Sequence, residues 1–380
     1  MIYFDNAATS YPKPRCVYEE IENVLLNYGG NPGRGGYPLA HKTAKYLYET
    51  RSRIAQFLGA GKSSQIIFTL NATEAANTVL RGYLRPGEHV IYFSTEHNAN
   101  FRPLKALELK GIGLTRVNVY EDDDQTISEL LRALSTKTRL VVAGYGSNVS
   151  GKILPLAKII AAAHAHNVLV YSDMAQTAGV LPLDLTALDI DFAAFAGHKS
   201  LLGPAGVGLL YVKEEGLLEP LKTGGTGSQS QSPYQPQNYP DALESGTLNL
   251  PGIGGLGAGI SYLQDYGTEK VFQHEWQLTK YFQASLKHLD HVKVYGPDEN
   301  QLRLPVVSLN VKGCSPEEVG NLLHQKGEIA VRTGLHCAPE AHRAIGSYPQ
   351  GTVRFSFGLF NTKAQVNTAL NILSDIKPRY

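Results

Sequence analysis

One lysine stands out by its setting. In Phe195-Ala196-Gly197-His198-Lys199-Ser200-Leu201-Leu202-Gly203-Pro204-Ala205-Gly206-Val207-Gly208, Lys199 closely follows an apolar run and sits among spaced glycines and a proline. A lysine beside a buried strand loses its hydration, which lowers its pKa and favours the neutral amine. The neutral amine is the form that adds to an aldehyde to give an imine. The glycines are expected to let the backbone approach a bulky planar ligand. The competing reading of this run is a solvated lysine in a glycine-rich turn.

An aldehyde cofactor makes demands that other segments can be checked against. Pyridoxal 5'-phosphate needs a carboxylate to keep its ring nitrogen protonated, because the protonated ring is the electron sink. Asp173 closes the strand-like run in Tyr171-Ser172-Asp173-Met174-Ala175-Gln176, and Gln176 is placed to donate to the ring oxygen. The phosphate needs backbone N–H donors and hydroxyls at a helix start, and Asn71-Ala72-Thr73-Glu74 lies between a strand pattern and a helix pattern. The ring needs a flat partner, and His97 in Thr95-Glu96-His97-Asn98-Ala99-Asn100 follows another strand. Four strand ends thus answer the needs of one cofactor.

With these segments, and with Tyr3-Phe4-Asp5-Asn6-Ala7-Ala8-Thr9 near the start and Arg354 and Asn361-Thr362 near the end, the chain resembles the class-V aminotransferase family. Within it, the chain resembles the cysteine desulfurases and selenocysteine lyases. The resemblance implies a fold type I pyridoxal-phosphate enzyme with a mostly parallel sheet of the seven-stranded type. It implies Lys199 as the cofactor lysine, His97 over the ring, Asp173 on the ring nitrogen and Gln176 on the ring oxygen. Thr73 and His198 match phosphate-binding positions, with Ala72 in the same cup. Thr247, in Glu244-Ser245-Gly246-Thr247, matches one supplied by the neighbouring subunit of a homodimer. Asn148 matches an asparagine near cofactor and substrate, and Arg354 matches the substrate-carboxylate arginine, with Arg332 also expected on the substrate. The phosphate cup departs from many relatives in reading Ala196 and Ala72 where they carry hydroxyls. Each lost hydroxyl is expected to cost about 1 kcal/mol of cofactor affinity.

The residue that selects the reaction is Cys337, in Arg332-Thr333-Gly334-Leu335-His336-Cys337-Ala338-Pro339. A thiolate can take sulfur from another sulfur atom. Arg332 and His336 are expected to favour the ionised form, and the flanking Gly334 and Pro339 suggest a loop able to carry the thiol toward substrate. The expected reaction turns L-cysteine into L-alanine and leaves a persulfide on Cys337 for a protein acceptor. L-selenocysteine is an alternative substrate that the sequence does not separate. Two rival readings stay open: an aminotransferase, epimerase or lyase that uses Lys199 and Arg354 without Cys337, and a cofactor-binding scaffold without turnover.

Cys16 and Cys314 have no comparable setting and read as structural. His164 and His166 are expected to be solvated, His342 is given no role, and no His/Cys spacing suggests a metal. The three cysteines are odd in number and widely spaced, which argues against a disulfide framework and for a reducing compartment.

The elements that must carry these residues follow from periodicity. Apolar runs at 66–68, 90–93, 140–142, 168–171 and 192–195 alternate with helical patterns at 14–27, 101–109 and 156–163. That alternation argues an α/β layer with a mostly parallel sheet covered on both faces, whose chemistry lies at the carboxyl ends of the strands. The Gly-, Ser-, Gln- and Pro-rich stretch 222–251 reads as a long surface excursion. Beyond it, helical patterns at 254–266 and 272–289, strands at 306–311 and 353–357 and a helix from Lys363 suggest a smaller α+β domain. The division is 15–250 for the large cofactor domain and 251–380, with 1–14, for the small one. With 380 residues, 43% apolar, 18% charged and a net charge of +1, the composition gives no case for disorder, nucleic acid or a membrane surface. The opening MIYFDNAATS lacks the basic flank and apolar stretch of a signal peptide, so a cytoplasmic location is expected.

Overall fold

The computed structural model describes residues 1–33 and 35–376; residues 377–380, the far end of the expected small domain, lie outside the described residues. A seven-stranded sheet runs in the order Ile66–Thr69, Gly208–Val212, Phe192–Ala196, Leu169–Asp173, Thr138–Val142, His89–Phe93, Gly113–Val117. Six strands share one direction, and Gly208–Val212 alone runs against its two neighbours. The inner strands read as largely apolar runs because both faces are covered, whereas the edge strand Gly113–Val117 carries Thr115 and Arg116 and is mostly half-buried. Ile91, Phe93, Val141, Val170, Ala193, Phe195 and Leu209 pack on one face. Val90, Tyr92, Leu140, Val142, Phe192, Ala194 and Leu210 pack on the other.

A second, antiparallel sheet has the order Arg332–Gly334, Thr352–Ser356, Val306–Val311, Val292–Tyr295. It buries Val307, Leu309, Val353 and Phe355 against Leu278 and Phe282 of helix Thr268–Leu286, Val319 and Leu323 of Pro316–Gly327, and Val366 and Leu373 of Lys363–Ser374. The N-terminal Ile2–Tyr3 pairs in parallel with Ile329–Ala330, tying the start of the chain to this body.

Several elements differ from the sequence expectations. Helix Asn98–Glu108 begins three residues before the expected 101 because the His97 side chain caps it. Helix Leu250–Tyr266 begins at Leu250 rather than 254, with Pro251 in its first turn, and its Ile253, Leu256 and Ile260 belong to the core of the large sheet. The 21-residue helix Pro38–Leu58 had no counterpart in the periodicity, because its buried face includes Thr43, Thr50 and Arg51 beside Ile54, Ala55 and Leu58. The segment 222–249 carries no helix or strand, yet it is not all surface: Tyr239, Ala242, Leu243 and Glu244 are buried, while Thr247 is exposed.

Glu244 is buried because it clasps Arg51. The two make a paired contact, Nη1 to Oε1 at 2.6 Å and Nη2 to Oε2 at 2.8 Å. Arg51 also donates to the Ile66 carbonyl at 2.6 Å, and Glu244 accepts from the Phe68 amide at 2.6 Å. Helix, edge strand and excursion meet at this one buried pair. Removing one partner leaves an uncompensated buried charge. Arg51→Ala is therefore expected to destabilise the protein by about 3–5 kcal/mol, read from the denaturation midpoint in urea.

Candidate active site

A cleft of about 260 Å³ opens at the carboxyl ends of the large sheet's strands, where the second sheet and the N-terminal segment meet it. Each parallel strand used here delivers a residue to it. Asp173 ends Leu169–Asp173, Ala196 ends Phe192–Ala196, and Lys199 follows three residues later. Thr95, Glu96 and His97 follow His89–Phe93, and Gly144, Gly146 and Asn148 follow Thr138–Val142. The second sheet adds Arg332, His336, Cys337 and Arg354.

Burial, reinforced by Arg354 and Arg332, pushes the Lys199 amine down to about 8, against the pull of Asp173. The lysine's backbone is held by the N-terminal segment. Ser10 Oγ donates to the Lys199 carbonyl at 2.8 Å, and Thr9 Oγ1 and Lys13 Nζ reach the His198 carbonyl at 3.0 and 2.6 Å. Burial also pushes the Lys13 amine down to about 8. These three clasping residues were not foreseen; the signal lay only in their closeness to the Asp5-Asn6-Ala7 run.

The glycines around Lys199 serve a different purpose from the one expected. A Cβ on Gly197 would stand 2.6 Å from the Val207 carbonyl oxygen, and one on Gly208 would stand 2.5 Å from the Asn71 backbone. Their close approach is to neighbouring backbone, not to a ligand. Gly144 and Gly146 line the cleft instead.

Asp173 Oδ1 accepts from the Ala175 amide at 2.9 Å, and burial raises its pKa. His97 Nδ1 accepts from the Ala99 amide at 3.1 Å, so the ring proton sits on Nε2. Burial and the neighbouring Lys199 push His97 down to about 3, which leaves the ring neutral. Gln176 Nε2 donates to the Ala7 carbonyl at 3.0 Å and lines the cleft. Ala72, Thr73 and His198 line it too. Ala72 and Thr73 open helix Ala72–Tyr83, whose first-turn amides have no intrahelical acceptor and attract anions. Thr95 Oγ1 is buried without a partner among the described residues.

Arg354 is 1% exposed. Its Nη2 donates to Asp5 Oδ1 at 2.7 Å and its Nη1 to the Asn148 carbonyl at 3.1 Å, while Nε is buried with no partner among the described residues. Asp5, which the sequence reading left without a role, is thus the counter-charge of the second sheet's arginine. Asn148 is committed as well: its Nδ2 donates to the His336 carbonyl at 2.8 Å.

Cys337 is exposed at the cleft, with Arg332 Nη2 3.6 Å from its Sγ. Two expectations about it need correction. His336 supplies no charge, because burial and Arg354 push it down to about 2, and its Nε2 faces Thr352 Oγ1 at 2.9 Å. Nor is the segment a free loop. Cys337 O accepts from the Asn98 amide at 2.8 Å, His336 O is held by Asn148, and the Ala338 amide donates to Leu335 O at 2.8 Å. Gly334 is packed against Gly351 rather than acting as an open hinge.

Other residues sort plainly. Cys314 is buried and Cys16 half-buried. His164, expected in solvent, sits between Asp191 Oδ2 at 2.8 Å and Asp189 Oδ2 at 3.3 Å. His342 is fully buried, with Nδ1 2.7 Å from Ser347 Oγ. Thr247 is absent from the Lys199 cleft; it lines a separate groove of about 1030 Å³ with Val24, Leu25, Tyr28 and Tyr48.

The Asp5–Arg354 pair makes a prediction of its own. Asp5→Ala is expected to leave Arg354 buried with its counter-charge gone, costing about 3–5 kcal/mol, read from chemical denaturation.

The aminotransferase class-V family model matches residues 2–368. A probable cysteine desulfurase of Methanothermobacter thermautotrophicus is 33% identical over 99% of this chain and 94% of its own. A cysteine desulfurase of Dickeya dadantii is 35% identical over 89% of this chain and 83% of its own. Among solved structures, the apo cysteine desulfurase of Thermococcus onnurineus NA1 superposes with a TM-score of 0.90 at 33% identity, covering 98% of this chain and 94% of that one. The cysteine desulfurase CsdA of Escherichia coli gives 0.88 at 30% identity, covering 98% and 93%. Family model, relatives and strand-end cleft agree along nearly the whole length: the chain belongs to the class-V aminotransferases.

Proposed function

We propose that the protein is a pyridoxal-phosphate-dependent cysteine desulfurase that converts L-cysteine to L-alanine and takes the sulfur onto Cys337. The observation that carries this reading is that one cleft is lined by the Lys199 amine, the Asp173 carboxylate, the Arg354 guanidinium and the Cys337 thiol. The residues fit the cofactor. A buried amine of lowered pKa, a buried carboxylate, a neutral flat imidazole and the anion-seeking start of helix Ala72–Tyr83 are its donor set. Bound there, pyridoxal phosphate supplies an electron sink for the substrate's Cα.

This chain's own residues do the rest. Arg354 keeps three of its five N–H groups beyond those given to Asp5 and Asn148, enough to grip a substrate carboxylate. Lys199, neutral above its lowered pKa, takes the Cα proton as general base. His97, neutral and lining the cleft, would cover the ring of a bound cofactor. The Cys337 thiolate, beside Arg332, attacks the substrate sulfur. The S–S bond forms as the substrate C–S bond breaks, and protonation of the carbon yields alanine. Cysteine plus enzyme thiol thus gives alanine plus enzyme persulfide, with every atom accounted for. The exposed thiol is then open to an acceptor thiol. L-selenocysteine, which carries the same amine and carboxylate, is proposed as a second substrate for the same contacts.

We extend the reading to a homodimer in which Thr247 serves the partner's phosphate cup. Its support is that Thr247 lies away from its own cleft, in a groove flanked by Leu25 at 65% and Tyr48 at 64% exposure.

Three outcomes test this. With cysteine and no reductant, the Cys337 peptide gains the mass of one sulfur atom, and Cys337→Ala lowers alanine release to the protein-free level; undiminished alanine from that variant refutes the persulfide route. Thr247→Ala weakens cofactor binding by about 1 kcal/mol, roughly fivefold, in a fluorescence titration. Finally, Lys199 is protonated below about pH 8 and neutral above it. Uptake of pyridoxal phosphate by cofactor-free protein therefore accelerates as pH rises through about 8, followed by absorbance after rapid mixing.

A further inference from the structure

Behind Asp173 lies a second buried acid that the proposed reaction does not use. Glu96 is 1% exposed and stands in the turn between strand His89–Phe93 and helix Asn98–Glu108, one residue before His97. Both of its oxygens accept: Oε1 from the Gly144 amide at 2.6 Å, and Oε2 from Asn100 Nδ2 at 2.6 Å. Asn100 is fully buried. Its Nδ2 also reaches Asp173 Oδ2 at 3.5 Å, and its Oδ1 accepts from the Tyr171 hydroxyl at 3.0 Å. One amide therefore bridges two carboxyl groups, with Tyr171 fixing which way that amide faces.

The charges in this cluster are unequal. Asp173 has the Lys199 amine nearby and accepts the Ala175 amide as well. Glu96 faces Asp173, Asn100 and the Gly144 amide, with Tyr171 also within its field, and none of these is a cation. Two carboxylates this close in a dry site disfavour each other's ionisation. Burial, with Asp173 adding to it, pushes Glu96 up to about 8, against the pull of the Gly144 amide and Asn100.

We propose that Glu96 is a positioning residue: fixed by the Gly144 amide, it anchors Asn100, which aims the Asp173 carboxylate at the cofactor's ring nitrogen. The inference rests on the reading of Lys199 and Asp173 as the pyridoxal-phosphate site. It also accounts for why a costly buried acid is kept in a turn that otherwise only has to present His97. A residue filling space would matter equally for any planar ligand. A residue acting through Asp173 matters only for a ligand that has a ring nitrogen to meet.

That difference is the test. Dissociation constants are measured by absorbance titration of cofactor-free protein with pyridoxal phosphate and with its 1-deaza analogue, in which carbon replaces the ring nitrogen. Glu96→Leu is expected to weaken pyridoxal phosphate about tenfold and to leave the analogue within about twofold. Glu96→Gln keeps one of the two acceptors and serves if the leucine variant fails to fold; it is expected to show the same selectivity at about threefold. In an Asp173→Asn background, Glu96→Leu is expected to add little. Equal weakening of both ligands, or full additivity with Asp173→Asn, overturns the role of Glu96 while leaving the cofactor site standing. Wild-type protein that takes up no pyridoxal phosphate overturns both.

Discussion

The structure turns on the removal of water from one amine. Under the proposed reaction Lys199 serves as nucleophile and base only if it is neutral near physiological pH, and burial is the agent that lowers it. A buried lysine is costly wherever it stays charged, so the surroundings must hold it without neutralising the effect. They do so through the backbone: Thr9, Ser10 and Lys13 grip the carbonyls of His198 and Lys199, leaving the amine itself free. Asp173 pulls it back toward the charged form, with a smaller pull from Cys337, and both residues line the same cleft.

Closing that cleft requires two sheets and the N-terminus to meet, and a short chain of polar contacts makes them meet. Asp5 pairs with Arg354, Arg354 donates to the Asn148 carbonyl, and the Asn148 side chain holds the His336 carbonyl. Ser308 Oγ donates to Val149 O at 2.7 Å, and the fully buried Arg303 donates to Ser150 O at 2.8 Å, fastening the same loop to the second sheet. Under the proposed reaction, the binding geometry for a substrate carboxylate is therefore a by-product of the contacts that join the bodies.

How much of this was legible depended on whether a role could be expressed locally. Lys199, Asp173 and His97 each follow closely on an apolar run, and in a parallel sheet that order alone puts them at one edge. Five of the seven strands were legible because both faces are covered, which makes them continuous apolar words; Gly113–Val117, a partly exposed edge with Thr115 and Arg116, and Gly208–Val212 were not foreseen. Helix Pro38–Leu58 was not, because burying Thr43, Thr50 and Arg51 breaks the period that marks an amphipathic helix. Arg51 and Glu244 pair across 193 residues and Asp5 and Arg354 across 349, and no local pattern carries such information. The glycines near Lys199 were visible but misassigned: sequence shows that something comes close, not whether it is ligand or backbone.

The thiol shows the same limit from the other side. Gly334 and Pro339 made a moving loop the natural expectation, yet His336 and Cys337 are both left-handed, with φ of +48° and +56°. That conformation costs a non-glycine residue roughly 1–2 kcal/mol, so the surroundings must impose it. The bonds from Asn148 to His336 O and from Asn98 to Cys337 O do so. The result buries His336 and Ala338 and turns only the residue between them outward. Under the proposed reaction, a thiol fixed in this way does not travel between substrate and acceptor. It stands where the cleft opens to solvent, and the two partners come to it in turn.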